Sequence, residues 1–365
     1  MADRMSDINA RLIAFYLPQF HPTPENDEWW GKGFTEWTNV AKAKPLFRGH
    51  YQPRVPADLG FYDLRVPETR AAQAEMAKEH GIEAFCYYHY WFAGRRMLER
   101  PFNEVLQSGK PDFPFCLCWA NHSWTGIWAG CPGKTLIEQT YPGFDDHAAH
   151  FYTLLQAFSD SRYVTVDGKP LFLVYDPMSI PEISKLTDFW RELALKSGLK
   201  GLYLVGMAWQ PDWNPIHYGF DAATPKDRLP KLREFRSLSH KVNLLCRKYY
   251  EIIGKPTVYL HEKVLSAWMF KDEYSYEYYP CVVPNWDNTP RSGANGLVLH
   301  GSTPELFRIT LRNAIDIMLD KPRERRIVFI KSWNEWAEGN YLEPDLMFGK
   351  SYLEVVKEEV LRRHE

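Results

Sequence analysis

A chain of 365 residues with 44 Lys and Arg against 46 Asp and Glu has a formal net charge of −2, so no global field draws it to nucleic acid or to an anionic membrane. Aromatic residues reach 15 % while the hydrophobic share is 45 %, which makes the chain rich in rings without making it unusually apolar. Apolar runs such as Leu202 to Ala208 fall far short of the ~18 residues a membrane span needs, and MADRMSDINARL lacks the apolar core of a signal peptide, so a cytoplasmic location is expected.

Eight short apolar, β-branched or aromatic runs recur with helical patterns between them: Leu12–Pro18, Ala84–Trp91, Phe115–Asn121, Leu171–Asp176, Leu202–Trp209, Asp221–Pro225, Cys281–Trp286 and Arg326–Trp333. Such alternation marks a parallel sheet of βα units, and eight strands close a barrel. The expectation is one α/β domain over residues 1–365, a (β/α)8 barrel with long insertions after strand one (about 19–67) and between strands six and seven (about 226–280). The first insertion is rich in Trp, Pro and Gly, and a loop of that length in a compact domain is usually functional.

Helix signals fill the gaps. Pro67 opens a helix that Gly81 ends, and Asp145 or Asp146 caps a second, with Ala148, Phe151, Tyr152, Leu155 and Phe158 as its apolar stripe. Ser302 and Glu305 read as a capping box before the stripe Phe307, Leu311, Ala314, Ile315 and Met318. A terminal helix from about Ser351 to Arg363 packs through Leu353, Val356 and Val360. The second insertion is basic (Lys226, Arg228, Lys231, Arg233, Arg236, Lys241, Arg247, Lys248), with Leu232, Phe235, Leu238, Val242 and Leu245 interleaved as in a helical hairpin. It is either a solvated face or a platform for an anionic glycan or lipid-linked substrate.

The six cysteines, 86, 116, 118, 131, 246 and 281, mostly sit in strand-like runs as small buried hydrophobes, and no CxxC pair or zinc spacing appears. No metal or other cofactor is expected. His89 and His122 lack the HxH alternation with which barrel metal sites commonly begin, so hydrogen bonding to a ligand is their expected use. No Walker loop or strand–GxGxxG–helix unit indicates a bound nucleotide.

Barrel active sites lie at the C-terminal ends of the strands. Here strand one ends in Tyr16, Gln19 and His21, and the Trp29–Trp37 stretch after it adds Trp30, Glu36 and Trp37. Strand two gives Tyr88, His89, Tyr90 and Trp91; strand three Trp119, Asn121, His122 and Trp124; strand four Tyr175 and Asp176; strand five Trp209 and Asp212. Strand seven gives Asn285, Trp286 and Asp287, and strand eight Asn334, Glu335, Trp336 and Glu338. Sugars present apolar C–H faces ringed by hydroxyls, so rings mixed with amides and carboxylates along one edge imply an oligo- or polysaccharide partner. Glu335 and Glu338, three apart between Trp333 and Gly339, form a candidate catalytic pair, since two acids are the minimum for breaking a glycosidic bond and packing against Trp raises a carboxyl pKa. Glu343, before Pro344, reads as structural.

The chain resembles the WbsX-type proteins related to glycoside hydrolase family 99, which comprises endo-acting α-mannosidases and α-mannanases. The likeness rests on Phe15-Tyr16-Leu17-Pro18-Gln19-Phe20-His21-Pro22, Glu25-Asn26-Asp27, Gly33-Phe34-Thr35-Glu36-Trp37, Tyr87-Tyr88-His89-Tyr90-Trp91-Phe92, Cys118-Trp119-Ala120-Asn121 and Trp333-Asn334-Glu335-Trp336-Ala337-Glu338-Gly339. It implies retaining hydrolysis of an α-linked, mannose-like glycan, with Glu335 deprotonating the sugar 2-hydroxyl to form a 1,2-anhydro sugar and Glu338 protonating the leaving oxygen. Relatives commonly carry an acid where this chain has His122, a change that bears on the choice of sugar. The same resemblance leaves a glycosyltransferase of surface-polysaccharide (O-antigen, lipopolysaccharide) synthesis and a non-catalytic glycan-binding protein as alternatives.

Overall fold

The computed structural model describes residues 8–126, 135–208, 213–226, 254–270 and 274–363. Eight strands, β1 (Arg11–Tyr16), β2 (Ile82–Phe92), β3 (Phe115–Trp119), β4 (Lys169–Val174), β5 (Tyr203–Ala208), β6 (Ala222–Pro225), β7 (Cys281–Val282) and β8 (Ile327–Ile330), run parallel in the order β6-β5-β4-β3-β2-β1-β8-β7. Each falls within or largely overlaps one of the eight apolar runs. Both neighbours of β1 hold it in long register, Leu12 opposite Val328 on β8 and Tyr16 opposite Tyr87 on β2. Between β6 and β7 the ring closes through two backbone bonds just ahead of β7, Ala223 N to Glu277 O and Tyr279 N to Ala223 O, both 2.9 Å. The strands are buried almost end to end, as a parallel sheet covered by helices requires.

The helical layer follows the sequence signals, with instructive exceptions. Helix α3 (Pro67–Glu79) starts on its proline and ends at Gly81, whose φ of +82° and Cβ position 2.6 Å from Val360 Cγ1 admit only glycine without displacement. Helix α9 (Pro304–Asp316) buries Phe307, Leu311, Ala314 and Ile315 as expected, but its cap is Thr303, which accepts from Leu306 N, while Ser302 bonds the His261 ring. Helix α10 (Ser351–Val360) packs on it through Leu353, Val356 and Val360. Helix α5 (Phe144–Phe158) departs further: Gly143 precedes it without a side-chain cap, Tyr152 is 54 % exposed, and His147, His150 and Leu154 take the buried face with Phe151 and Phe158. The apolar stripe missed this face because His150 is buried by stacking on Trp91, centroids 4.7 Å apart, a contact no hydrophobicity pattern registers.

The first insertion is folded. Helix α1 (Pro24–Trp30) is capped by Thr23 Oγ1 on Asn26 N; helix α2 (Glu36–Lys42) is tied to the stretch after β1 by Glu36 N on Gln19 O, and Leu64 N, farther along the insertion, bonds Phe20 O. Most of the second insertion, including all of the basic segment expected over 226–248 except Lys226, lies outside the described residues, as do Trp209, Asp212, Cys131 and Cys246. Among the described residues Cys86, Cys116, Cys118 and Cys281 are buried thiols outside any disulfide, and no helix is long and apolar enough to cross a membrane.

Candidate active site

Successive side chains on a strand point to opposite faces, and this parity decides which strand-end residues reach the barrel mouth. On β2, Tyr88 and Tyr90 line a cavity of about 600 Å³, a size typical of small-ligand sites. Their neighbours face the helices: His89 Nε2 lies 2.8 Å from His150 Nε2, and Trp91 Nε1 donates to Asp146. The same alternation puts Tyr16 on α3, where its hydroxyl donates to Gln73, and sets Phe15 against Tyr88. Trp119 packs on Trp190 of α6 (Ile183–Lys196), while the next residue, Ala120, lines the cavity. Tyr16, His89, Trp91 and Trp119, expected at the sugar, therefore stand behind the wall.

Other expected ligands turn out to fasten the mouth together. Asn334 grips the end of β1, accepting from Leu17 N at 2.7 Å and donating to Leu17 O at 3.1 Å. Asn121 does the same to Asp176, accepting from its N at 2.7 Å and donating to its O at 2.8 Å. His21 bonds Pro18 O, Trp37 donates to Tyr62 O, and Asn285 accepts from Trp286 N. Asp287 is sealed in: it accepts from Thr289 N at the start of the short helix α8 (Thr289–Ser292) and is held by His50 and Gln52, both at 2.7 Å. None of these lines the cavity. Gln19, Trp30, Glu36, Tyr88, His122, Trp286, Glu335 and Glu338 do, and Asp176 sits beside it paired to Lys226 at 3.1 Å.

The acid pair is placed by the loop after β8. Trp333 N bonds Phe15 O, Ser332 Oγ accepts from Glu335 N and donates to Asn340 O, and Asn334–Glu335 pairs with Asn340–Tyr341 as a two-residue ribbon. The turn between them needs Gly339, with φ +59° and a Cβ position 2.9 Å from both Asp287 Cβ and Arg54 Cζ. Glu343 lies beneath as the sequence reading expects, accepting from Trp336 Nε1 and Gln73 Nε2 at 2.6 Å and from Tyr62 at 2.8 Å, so Trp336 also belongs to the support and not to the cavity.

The two acids differ in charge environment. Burial pushes the Glu335 carboxyl well above the usual range, and the charge of Glu338 and a hydrogen bond to it add to the rise; no donor among the described residues reaches Glu335 Oε2. Burial is the largest single influence on Glu338 and works to raise it, but the Arg291 guanidinium, donating to it at 2.6 Å, the Glu335 hydrogen bond and Lys331 together outweigh that and hold it below the usual carboxylate range. Arg291 also grips the buried Glu36 at 3.0 Å, and the carboxylates offset the burial that would otherwise lower its own pKa. One proton shared unevenly between two carboxyls is the charge state that acid–base work on a glycosidic bond needs.

Tyr90, Tyr175 and Trp124, at the strand ends named in the sequence reading, line the cavity too, as do Trp29, Phe34, Arg291 and Lys331. Nothing in residue pattern pointed to Arg291, a cation on a four-residue helix far in sequence from the acids it serves. Among the described residues no group of three or more His, Cys, Asp or Glu is arranged to hold a metal ion.

A sequence family described as "Glycosyltransferase WbsX" matches residues 12–356. Two curated relatives from Xanthomonas campestris pv. campestris, both described as "Uncharacterized protein WxcX", are 38 % (strain B100) and 39 % (a second strain) identical over 97 % of this chain, which spans about half the length of each, 50 %. Among solved structures, a glycoside hydrolase-like protein (17 % identity, TM-score 0.57, 96 % of this chain and 94 % of that one) and the GH99 endo-alpha-mannosidase from Bacteroides thetaiotaomicron with BIS-TRIS-propane (15 % identity, TM-score 0.57, 96 % of each chain) share the fold.

Proposed function

The chain belongs to the WbsX glycosyltransferase family and is a carbohydrate-active enzyme; from that premise we propose that it cleaves an α-linked glycan with retention, using Glu335 and Glu338 as its acid–base pair. The observation that carries the reading is the uneven pair: Glu335, raised by burial and by the Glu338 carboxylate hydrogen-bonded to it, beside Glu338 held below its usual range with the help of Arg291, in a cavity walled by Tyr88, Tyr90, Trp124 and Trp286.

On this reading Glu335 carries the proton and gives it to the departing glycosidic oxygen, while Glu338 takes the proton of the sugar 2-hydroxyl, whose oxygen closes on C1 to a 1,2-anhydro sugar. Water then opens that ring at C1 and yields its proton to Glu335, and Glu338 returns the other to O2, restoring both groups. The family resemblance implies the two roles the other way round; the Arg291 contact is what favours this order, because it opposes protonation of Glu338.

Aryl α-glycosides of graded leaving-group acidity separate the two assignments. Glu335→Gln should lose ~10²–10⁴-fold on poor leaving groups but, in single-turnover assays, keep most of the rate of the first, phenol-releasing step on acidic phenols, which depart without help. Glu338→Gln should lose both. The opposite pattern restores the order implied by the resemblance, and near wild-type turnover in both variants removes the pair from catalysis. Transfer to a sugar hydroxyl in place of water would use the same first step, which the family's description favours; product analysis with and without acceptor sugar distinguishes transfer from hydrolysis.

A further inference from the structure

Glu36 reaches the cavity wall from the first insertion, yet its carboxylate is already committed to the protein. It opens α2, where its own N–H bonds Gln19 O, and it is buried, 3 % exposed. Its Oε2 lies 3.0 Å from both Arg291 Nε, which donates to it, and Arg291 Nη2, while its Oε1 accepts from Asn39 Nδ2 at 3.4 Å. Arg291 Nη1 donates to Glu338 at 2.6 Å. The helix that carries Glu36 is also braced on the acid turn, where the neighbouring Trp37 ring stands 5.5 Å from that of Trp336.

A guanidinium is a rigid planar fork on a flexible stem, so an ion pair along one edge fixes where its other N–H groups point. Glu36 takes the Nε–Nη2 edge of Arg291, and Nη1 is then directed at Glu338. Helix α8, which carries Arg291, is only four residues long and is oriented by Asp287, whose own N–H bonds Glu338 O at 2.6 Å. Glu338 also faces Glu335, Lys331 and His122, and Arg291 also faces Glu335, but these come from the strand ends. Glu36 is the contact with Arg291 that the insertion supplies.

We propose that Glu36 is a positioning residue and not a sugar ligand: by holding the Nε–Nη2 edge of Arg291 it directs Nη1 onto Glu338 and keeps that acid ready to receive a proton. The inference rests on the proposed role of Glu338 and gives the first insertion a part in the chemistry as well as in the wall. Loss of Glu36 has two opposite consequences for Glu338. If Arg291 swings away, Glu338 loses its cation and titrates higher, by about one unit; if Arg291 stays, Glu338 loses only a negative neighbour and titrates lower.

Infrared titration of the full chain, each spectrum taken as the difference from the same protein carrying Glu338→Gln, reads the ionisation of Glu338 without substrate. Glu36→Ala should move the midpoint up by about one unit, while Glu36→Gln, which keeps an acceptor oxygen in place, should not move it up. Should Glu36→Ala melt early, Glu36→Asp, one methylene short of the guanidinium, should give a smaller shift in the same direction. In kinetics Glu36→Ala should lower kcat roughly tenfold on the acidic limb of the pH profile with KM little changed. A midpoint that stays or falls in both Glu36→Ala and Glu36→Asp overturns the proposal, and a rise in KM at constant kcat then returns Glu36 to the sugar. Turnover that depends on Glu335 and Glu338 would in that case still uphold the proposed function, whereas a raised midpoint in a chain that turns over no glycoside would leave Glu36 in its role toward Arg291 and the proposed function fallen.

Discussion

Glu335 and Glu343 leave the same loop, are both buried (5 % and 3 % exposed), and are both pushed upward by that burial, yet their surroundings are opposite. Glu343 is met by donors from Trp336, Tyr62 and Gln73 and settles at about 7; Glu335 Oε2 meets none among the described residues. A buried polar group without a partner is costly and persists where a ligand or a proton is to be handled, while one with several partners fastens the chain. One loop thus holds an acid that waits and an acid that anchors.

That contrast can be broken from either side. Glu335→Gln should lower turnover ~10²–10⁴-fold, up to about 5 kcal/mol of barrier, with the melting temperature within a few degrees of wild type, measured by kinetics beside calorimetric melting. Glu343→Ala should do the reverse first: it orphans three buried donors at ~1–3 kcal/mol each, so stability falls by several kcal/mol in denaturant melts, and activity follows only through misplacement of Glu335. A large loss of activity from Glu343→Ala at unchanged stability would erase the distinction.

The same pair differs in pH response. Because Glu343 titrates higher in the fold than in the unfolded chain, its contribution to stability is complete below about 4.5 and is lost as pH rises through about 7; on the order of 3 kcal/mol is at stake. Urea melts between those pH values should show the decline in wild type and a flatter course in Glu343→Gln. Arg291→Gln is expected to act more gently and on activity: removing the guanidinium raises Glu338, so the acidic limb of the rate profile moves to higher pH by about one unit, with no shift of the alkaline limb of comparable size.

The barrel was legible because its strands are buried on both faces and read as unbroken apolar runs, and the strand-eight acids because their word combines Trp, Asn and Glu at a strand end. What sequence does not reveal is the frame at which each strand meets the mouth. Tyr88 and Tyr90 reach the cavity while His89 and Trp91, equally sugar-like in type, serve α5. Asn121, Asn334 and Asp287 have ligand chemistry but spend it on backbone, which only three-dimensional proximity discloses. The contacts of Arg291 with Glu36 and Glu338 are products of topology alone: residues distant in sequence brought together because β1, β7 and β8 end at one rim.

The closure between β6 and β7 has its own consequence. Elsewhere the wall is held by ladders of several residues, but here it depends on the two bonds to Ala223 and on a β7 only two residues long. The wall therefore has a seam, and local opening costs least there. Amide protons of Ala223 and Tyr279 should exchange with solvent ahead of those in Leu12–Tyr16. Breathing along that line shifts the Lys226 side of the mouth, while the β1–β8 ladder, from which the acid loop departs, stays zipped.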